Sequence, residues 1–162
     1  MEAVTSIVKK ERYYLDTSVW GGVDDHEFKV DTARFFYMVK NKPIILLYSE
    51  LVERELAFGA PKEVKDNFLS LTGYTKRVEI TDEIRMLAEK YVSAGVVGKT
   101  SLEDCIHIAA ATVHRADALV SWNFKHIVNV DRVKGYNAIN VMLGYQALEI
   151  HSPSEVLLWN EK

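Results

Sequence analysis

The chain is short of the residues that several common architectures require. It has a single cysteine, Cys105, in 162 residues, which excludes an internal disulfide and a cysteine-based zinc site. Three prolines and eight glycines leave no room for a flexible linker or a collagen-like tract. No apolar run approaches the roughly 20 residues that a membrane-spanning helix needs. The opening Met1-Glu2-Ala3-Val4-Thr5-Ser6 lacks a basic stretch followed by an apolar one, so no secretory signal is expected. Basic charge is not in excess: 20 Lys and Arg stand against 23 Asp and Glu, a net charge of -3. That argues against a broad DNA-coating surface and leaves room for a local nucleic-acid site. Apolar residues, by contrast, are plentiful. They make up 48% of the chain against 27% charged residues, enough to bury a core and too many for compositional disorder. The expectation is a cytoplasmic protein with one domain over residues 1–162.

Strand-like and helix-like segments alternate. Arg12-Tyr13-Tyr14-Leu15 is short and apolar and ends at Asp16. Residues 31–41 read as a helix, with Ala33, Phe36, Tyr37 and Lys40 at helical spacing, stopped by Lys42-Pro43. Ile44-Ile45-Leu46-Leu47-Tyr48 has the unbroken apolar character of a strand buried on both faces. Ser49 reads as the cap of a helix running to Gly59, and Pro61 as the start of another that turns Val64, Phe68 and Leu71 inward. Val78-Glu79-Ile80 is a short strand or an extended connector. Thr81 begins a helix carrying Ile84, Leu87, Ala88 and Tyr91, broken at Gly95 and Gly98. Thr100 begins a helix through His114, and Ala118-Leu119-Val120-Ser121-Trp122 is a strand. Residues 140–143 and 148–150 are weaker strand candidates, and Pro153 opens a last short helix. This alternation is the grammar of a parallel sheet covered on both faces, whose ligands sit at the carboxyl ends of the strands.

Four oxygen-bearing side chains fall at that edge. Asp16 follows the first strand, with Thr17 and Ser18 beside it; it either holds a divalent cation or caps the next helix. Glu55 lies four residues past Leu51 and three past Val52, on the apolar side of its helix, where a carboxylate needs a partner. Glu50 is spaced for a surface ion pair with Arg54, and Glu53 points outward. Asp104 lies in the first turn of its helix. Thr100-Ser101-Leu102-Glu103 fits a capping box and gives Glu103 a structural task, so Asp104 either answers the helix dipole or serves the site. Asn123 follows a strand end, where its amide could ligate a metal, hold a metal-bound water, or turn the chain. Asp117, at the opposite end of that strand, reads as structural. Hard oxygens without cysteine or a close pair of histidines suit Mg²⁺ or Mn²⁺ rather than zinc. Such clusters hydrolyse phosphodiesters, and crowded carboxylates repel one another without a cation.

In these same segments the chain resembles the PIN-domain ribonucleases, of the kind found as VapC toxins and related stand-alone proteins. The matching stretches are residues 14–19, residues 49–56 followed by Gly59, residues 102–111 and residues 118–127, in the family's order; residues 139–155 resemble its closing strand and helix. The resemblance implies a three-layer α/β/α sandwich with a central parallel sheet. It carries the family's first acid to Asp16 and its helix acid to Glu55, since Glu55-Leu56-Ala57-Phe58-Gly59 fits the family pattern. The third acid falls on Asp104. The fourth position, commonly Asp, is Asn123 here; one lost negative charge should weaken cation affinity and favour one metal over two. The implied activity is a Mg²⁺- or Mn²⁺-dependent endoribonuclease acting on RNA, with Asp16, Glu55, Asp104 and Asn123 as its catalytic and metal-binding set. An antitoxin partner and a homodimer are implied as well.

Other residues are less telling. His107, one turn past Asp104, reads as a packed or solvated histidine, with contact to the site as the alternative. Lys125 and His126 would meet phosphate or form a solvated loop, and Lys9, Lys10 and Arg12 form the densest basic cluster. Trp20 would stack on a base or pack in its loop, and Cys105 reads as a small buried residue. Two other functions compete. A catalytically weak fold of the same kind could bind RNA or protein, which the Asn123 substitution favours. A phosphatase of the haloacid-dehalogenase type needs a second Asp two residues after the first, where Ser18 stands.

Overall fold

The computed structural model describes residues 9–98 and 102–161. Five strands, β1 (Glu11–Leu15), β2 (Ile44–Ser49), β3 (Thr75–Val78), β4 (Ala118–Val120) and β5 (Ile150–His151), form one all-parallel sheet in the order β3-β2-β1-β4-β5. The first strand lies in the middle; β2 and β3 follow to one side, and the chain then crosses back to lay β4 and β5 on the other. The carboxyl ends of β1 and β4 therefore flank the point where strand order reverses, the place where open parallel sheets bind ligands. Tyr13 pairs with Leu46 on one side and Ala118 on the other, so β1 is fully interior.

Period-two alternation divides the core between the two faces of the sheet. Tyr14, Leu47 and Leu119 point to a layer built by α5 (Asp82–Ser93), α6 (Leu102–Val113) and α7 (Val130–Met142). Tyr13, Leu15, Leu46, Ala118 and Val120 point to a layer built by α1 (Thr17–Gly21), α2 (Lys29–Asn41), α4 (Lys62–Ser70) and α8 (Pro153–Asn160). Helix α3 (Glu50–Ala57) sends Leu51 into the first core and Val52 and Leu56 into the second. The architecture is the three-layer α/β/α sandwich expected.

Most elements lie where the sequence places them. Thr81 caps α5 by accepting from the Ile84 amide, and Gly95 ends it at φ 76°. Ser152 and Glu155 close a capping box over α8 behind Pro153. Several expectations need correction. Residues 140–143 are not a strand but the end of α7, whose Asn129 cap accepts from the Asp131 and Arg132 amides. The strand near residue 78 runs earlier, over Thr75–Val78, and the last strand is Ile150–His151. On α2 the buried residues are Thr32, Phe35, Phe36, Met38 and Val39, while Ala33 and Tyr37 are exposed. Glu50 faces Arg77 at 4.0 Å rather than Arg54, and Glu53 hydrogen-bonds the same guanidinium. The capping box over residues 100–103 lies in part outside the described residues.

Candidate active site

Asp16 is the first residue past β1 and the N-cap of α1, yet its carboxylate caps nothing. Its Oδ1 accepts from Ser18 Oγ at 2.6 Å, and its Oδ2 accepts from Ser121 Oγ at 2.8 Å. Each hydroxyl in turn accepts a backbone N–H from the segment leaving β4: Ser18 from Trp122 and Ser121 from Asn123, both at 2.9 Å. Two serines thus clamp the Asp16 carboxylate between the exits of the two central strands. Only 4% of Asp16 is exposed. Burial pushes its carboxyl up; His107 and the two serines oppose that rise, and the charge of Asp104 adds to it.

Asp104 sits in the first turn of α6, which runs back against the sheet and so begins at the same edge. Burial pushes its carboxyl up as well. His107 and His126 draw it down, Glu55 pushes it further up, and the nearby Asn123 amide draws it down. The four expected residues therefore share one electrostatic neighbourhood. Glu55, on α3, is half-buried, and its Oε1 lies 3.0 Å from His107 Nε2. Asn123 displays the chain-turning role: its Oδ1 accepts the His126 amide at 2.9 Å.

His107 is buried and touches Glu55, so its contact alternative holds. Trp20 is wholly buried against Phe36 and Phe68 and offers no face to a base. Arg12 donates to the carbonyls of His114 and Arg115 at the start of β1, the end of the sheet remote from Asp16. Asp117 accepts the Arg12 amide there at 2.8 Å, a structural task. Lys125 is exposed, and His126 Nδ1 is buried without a partner among the described residues. Burial pushes the Cys105 thiol up to about 12, with Asp104 adding to the shift, so it is no nucleophile. Sequence reasoning missed Ser121 as a partner of Asp16, and missed Tyr14 and Ser49, whose hydroxyls lie 2.9 Å apart beneath the site. Ser121 had a signal in its place just past a strand end; Tyr14 had none, since a tyrosine in a strand looks like core.

The donor chemistry fits a hard divalent cation. All the acids offer oxygen, and burial sets both Asp16 and Asp104 against carrying unbalanced charge. Among the described residues no three His, Cys, Asp or Glu side chains converge closely enough to enclose an ion. Mg²⁺ does not need that, because it keeps several waters and uses one or two carboxylates.

No protein-family model matches the chain, and no curated protein matches it. Solved structures do. VapBC2 from Rickettsia felis, bound to a DNA fragment from its promoter, superposes with a TM-score of 0.53 at 14% identity over 87% of this chain and 98% of that one. Mycobacterium tuberculosis VapC20, described as a Sarcin-Ricin loop cleaving toxin, gives 0.55 at 13% over 70% and 91%. DNA-bound VapBC from Salmonella typhimurium gives 0.55 at 11% over 88% and 98%. At these identities the likeness shows the fold, which is that of the VapC-like PIN domain.

Proposed function

We propose that this chain is a Mg²⁺- or Mn²⁺-dependent endoribonuclease of the VapC-like kind. The observation that carries the reading is Asp16, a buried carboxylate clamped by two serines at the switch point of a PIN-like sheet, with Asp104 close enough to raise its proton affinity. Asp16 and Asp104 would hold the cation directly, and Glu55 would face it across the waters such an ion keeps. Such a cation would supply the means to lower the pKa of a water and to offset negative charge on phosphate oxygens. The chain's own residues do the rest. Ser18 and Ser121 fix the orientation of Asp16, and the Asn123 side chain draws the Asp104 carboxyl down while its oxygen holds the following turn. Products would carry 5′-phosphate and 3′-hydroxyl ends.

Cleavage of an RNA panel by purified protein with Mn²⁺ tests this. Asp16→Asn and Asp104→Asn should each slow cutting at least about 100-fold, the scale of losing one group that stabilises developing charge. Wild-type rates in both variants would end the assignment. On this reading the protein works in the cytoplasm, as a homodimer and with an antitoxin partner; the VapBC structures support such a partner. A second reading, a catalytically weak fold that binds RNA or protein, is favoured by the amide at position 123 and by the absence of three converging ligands among the described residues. Calorimetry separates the two: a nuclease takes up Mn²⁺ at the carboxylates, and a pure binding module does not.

A further inference from the structure

His107 has work that the reaction as outlined leaves unexplained. It lies three residues past Asp104 on α6, and only 3% of it is exposed. Both of its nitrogens are engaged: Nε2 with Glu55 Oε1 at 3.0 Å and Nδ1 with the Tyr14 hydroxyl at 2.8 Å. The Tyr14 hydroxyl continues to Ser49 Oγ at 2.9 Å. The four residues come from α6, α3, β1 and β2 and are 35 to 93 positions apart where they touch across the sheet.

The direction of this chain follows from the groups. A carboxylate only accepts, so Nε2 carries the hydrogen it donates to Glu55. With Nε2 carrying the hydrogen, Nδ1 can accept from the Tyr14 O–H, and the Tyr14 oxygen can accept from Ser49. Ser49 stands at the N-cap of α3, where serine ordinarily bonds a helix amide, yet it makes no such bond. Its hydroxyl serves Tyr14 instead. Glu55 receives no hydrogen bond at its second oxygen, Oε2, from the described residues.

Resting on the nuclease reading, we propose that His107 is a positioning residue: its Nε2–H holds one oxygen of Glu55 and leaves the other for a hard dication, while Tyr14 and Ser49 lock the ring. A Glu at a half-exposed helix position has several rotamers to lose, and restraining it beforehand lowers the cost of ordering it at binding.

Two measurements on the full chain test this. The first reads the metal-free protein by long-range proton–nitrogen NMR. A slowly exchanging His107 Nε2–H is expected in wild type and should be lost in Glu55→Ala; a signal that ignores Glu55→Ala overturns the proposal. The second is Mn²⁺ binding by calorimetry, without RNA. His107→Asn, whose amide cannot reach as far as Nε2, should weaken Mn²⁺ by about 10–100-fold, the usual cost of losing a group that orients a ligand. His107→Gln, which carries a donor near the Nε2 position, should restore most of that loss. Tyr14→Phe removes one oxygen from the core and should show a smaller loss in the same direction, which covers the case of His107→Asn failing to fold. Mn²⁺ binding by the His107 and Tyr14 variants at wild-type strength, with Asp16→Asn impaired, overturns the proposal and spares the nuclease reading. If Asp16→Asn also binds Mn²⁺ like wild type, the nuclease reading falls and takes the metal half of the proposal with it.

Discussion

At the scale of single residues, Asp16 decides most. Its folded carboxyl is raised above the ordinary 3.8, first by burial. A raised carboxyl gives stability that is fully present below the unfolded value and is lost as pH rises through the folded one, because the native state binds the extra proton. Without metal, this group should therefore cost the wild type stability as pH rises above about 4. Asp16→Asn removes the buried charge, so at about pH 7 it should melt at or above the wild-type temperature, with the gap closing towards about pH 4. Mg²⁺ should raise the melting temperature of the wild type at neutral pH and leave Asp16→Asn unmoved. Differential scanning calorimetry reads all three, and a variant melting several degrees below wild type at neutral pH would contradict the account. Asp16 and Ser18 were legible because they follow a strand directly. His107 was not, because a histidine among Ile106, Ile108 and the alanines of α6 looks the same whether it is satisfied by packing or by a carboxylate. Ser49 was misread for a related reason: its position is that of a cap, and only the third dimension shows the Tyr14 hydroxyl competing for it.

At the scale of elements, the segment that leaves β4 carries two of the site's groups and is itself latched. Trp122 stacks on Phe28 with ring centroids 4.3 Å apart, and its Nε1–H donates to Thr32 Oγ1 at 2.9 Å. Gly22 lies against both partners: a Cβ there would collide with Thr32 Oγ1 and stand 3.0 Å from Trp122 Nε1. Gly22→Ala should therefore cost about 1–3 kcal/mol, as overpacking does, and slow cleavage by shifting Ser121 and Asn123. Gly21→Ala, with nothing within 4 Å of its Cβ, is the control and should be close to neutral. Urea midpoints for the pair check this, and equal midpoints would contradict it. Helix α7 was the element hardest to see. Its buried face includes Asn140, which accepts from Tyr91, while Val130, Val141 and Met142 are exposed, so its apolar periodicity is blurred. Strand β3 was misplaced because it lies at the sheet's edge with Lys76 and Arg77 exposed, and lacks the apolar run that marks β2.

At the scale of the whole molecule, the alternation of strand and helix made a parallel sheet covered on both faces readable from the residues alone. The order of the strands was not readable, since a pattern of apolar runs says nothing about which neighbours pair. That order matters for function: with β1 between β2 and β4, the exits of β1 and β4 face each other, and Asp16 meets Ser121 across 105 residues of chain. The same placement brings the start of α6, and with it Asp104, to this edge. No helix among the described residues is long and apolar enough to cross a membrane. On the nuclease reading, the fold gathers distant carboxylates into a trap for a hard dication. Anomalous diffraction from a manganese-soaked crystal tests it most directly. A peak is expected at coordination distance, about 2.0–2.2 Å as for small hard dications on carboxylate oxygen, from Asp16 and Asp104 together. A map with no peak there, or with manganese only on surface acids such as Glu50 and Glu53, would contradict it.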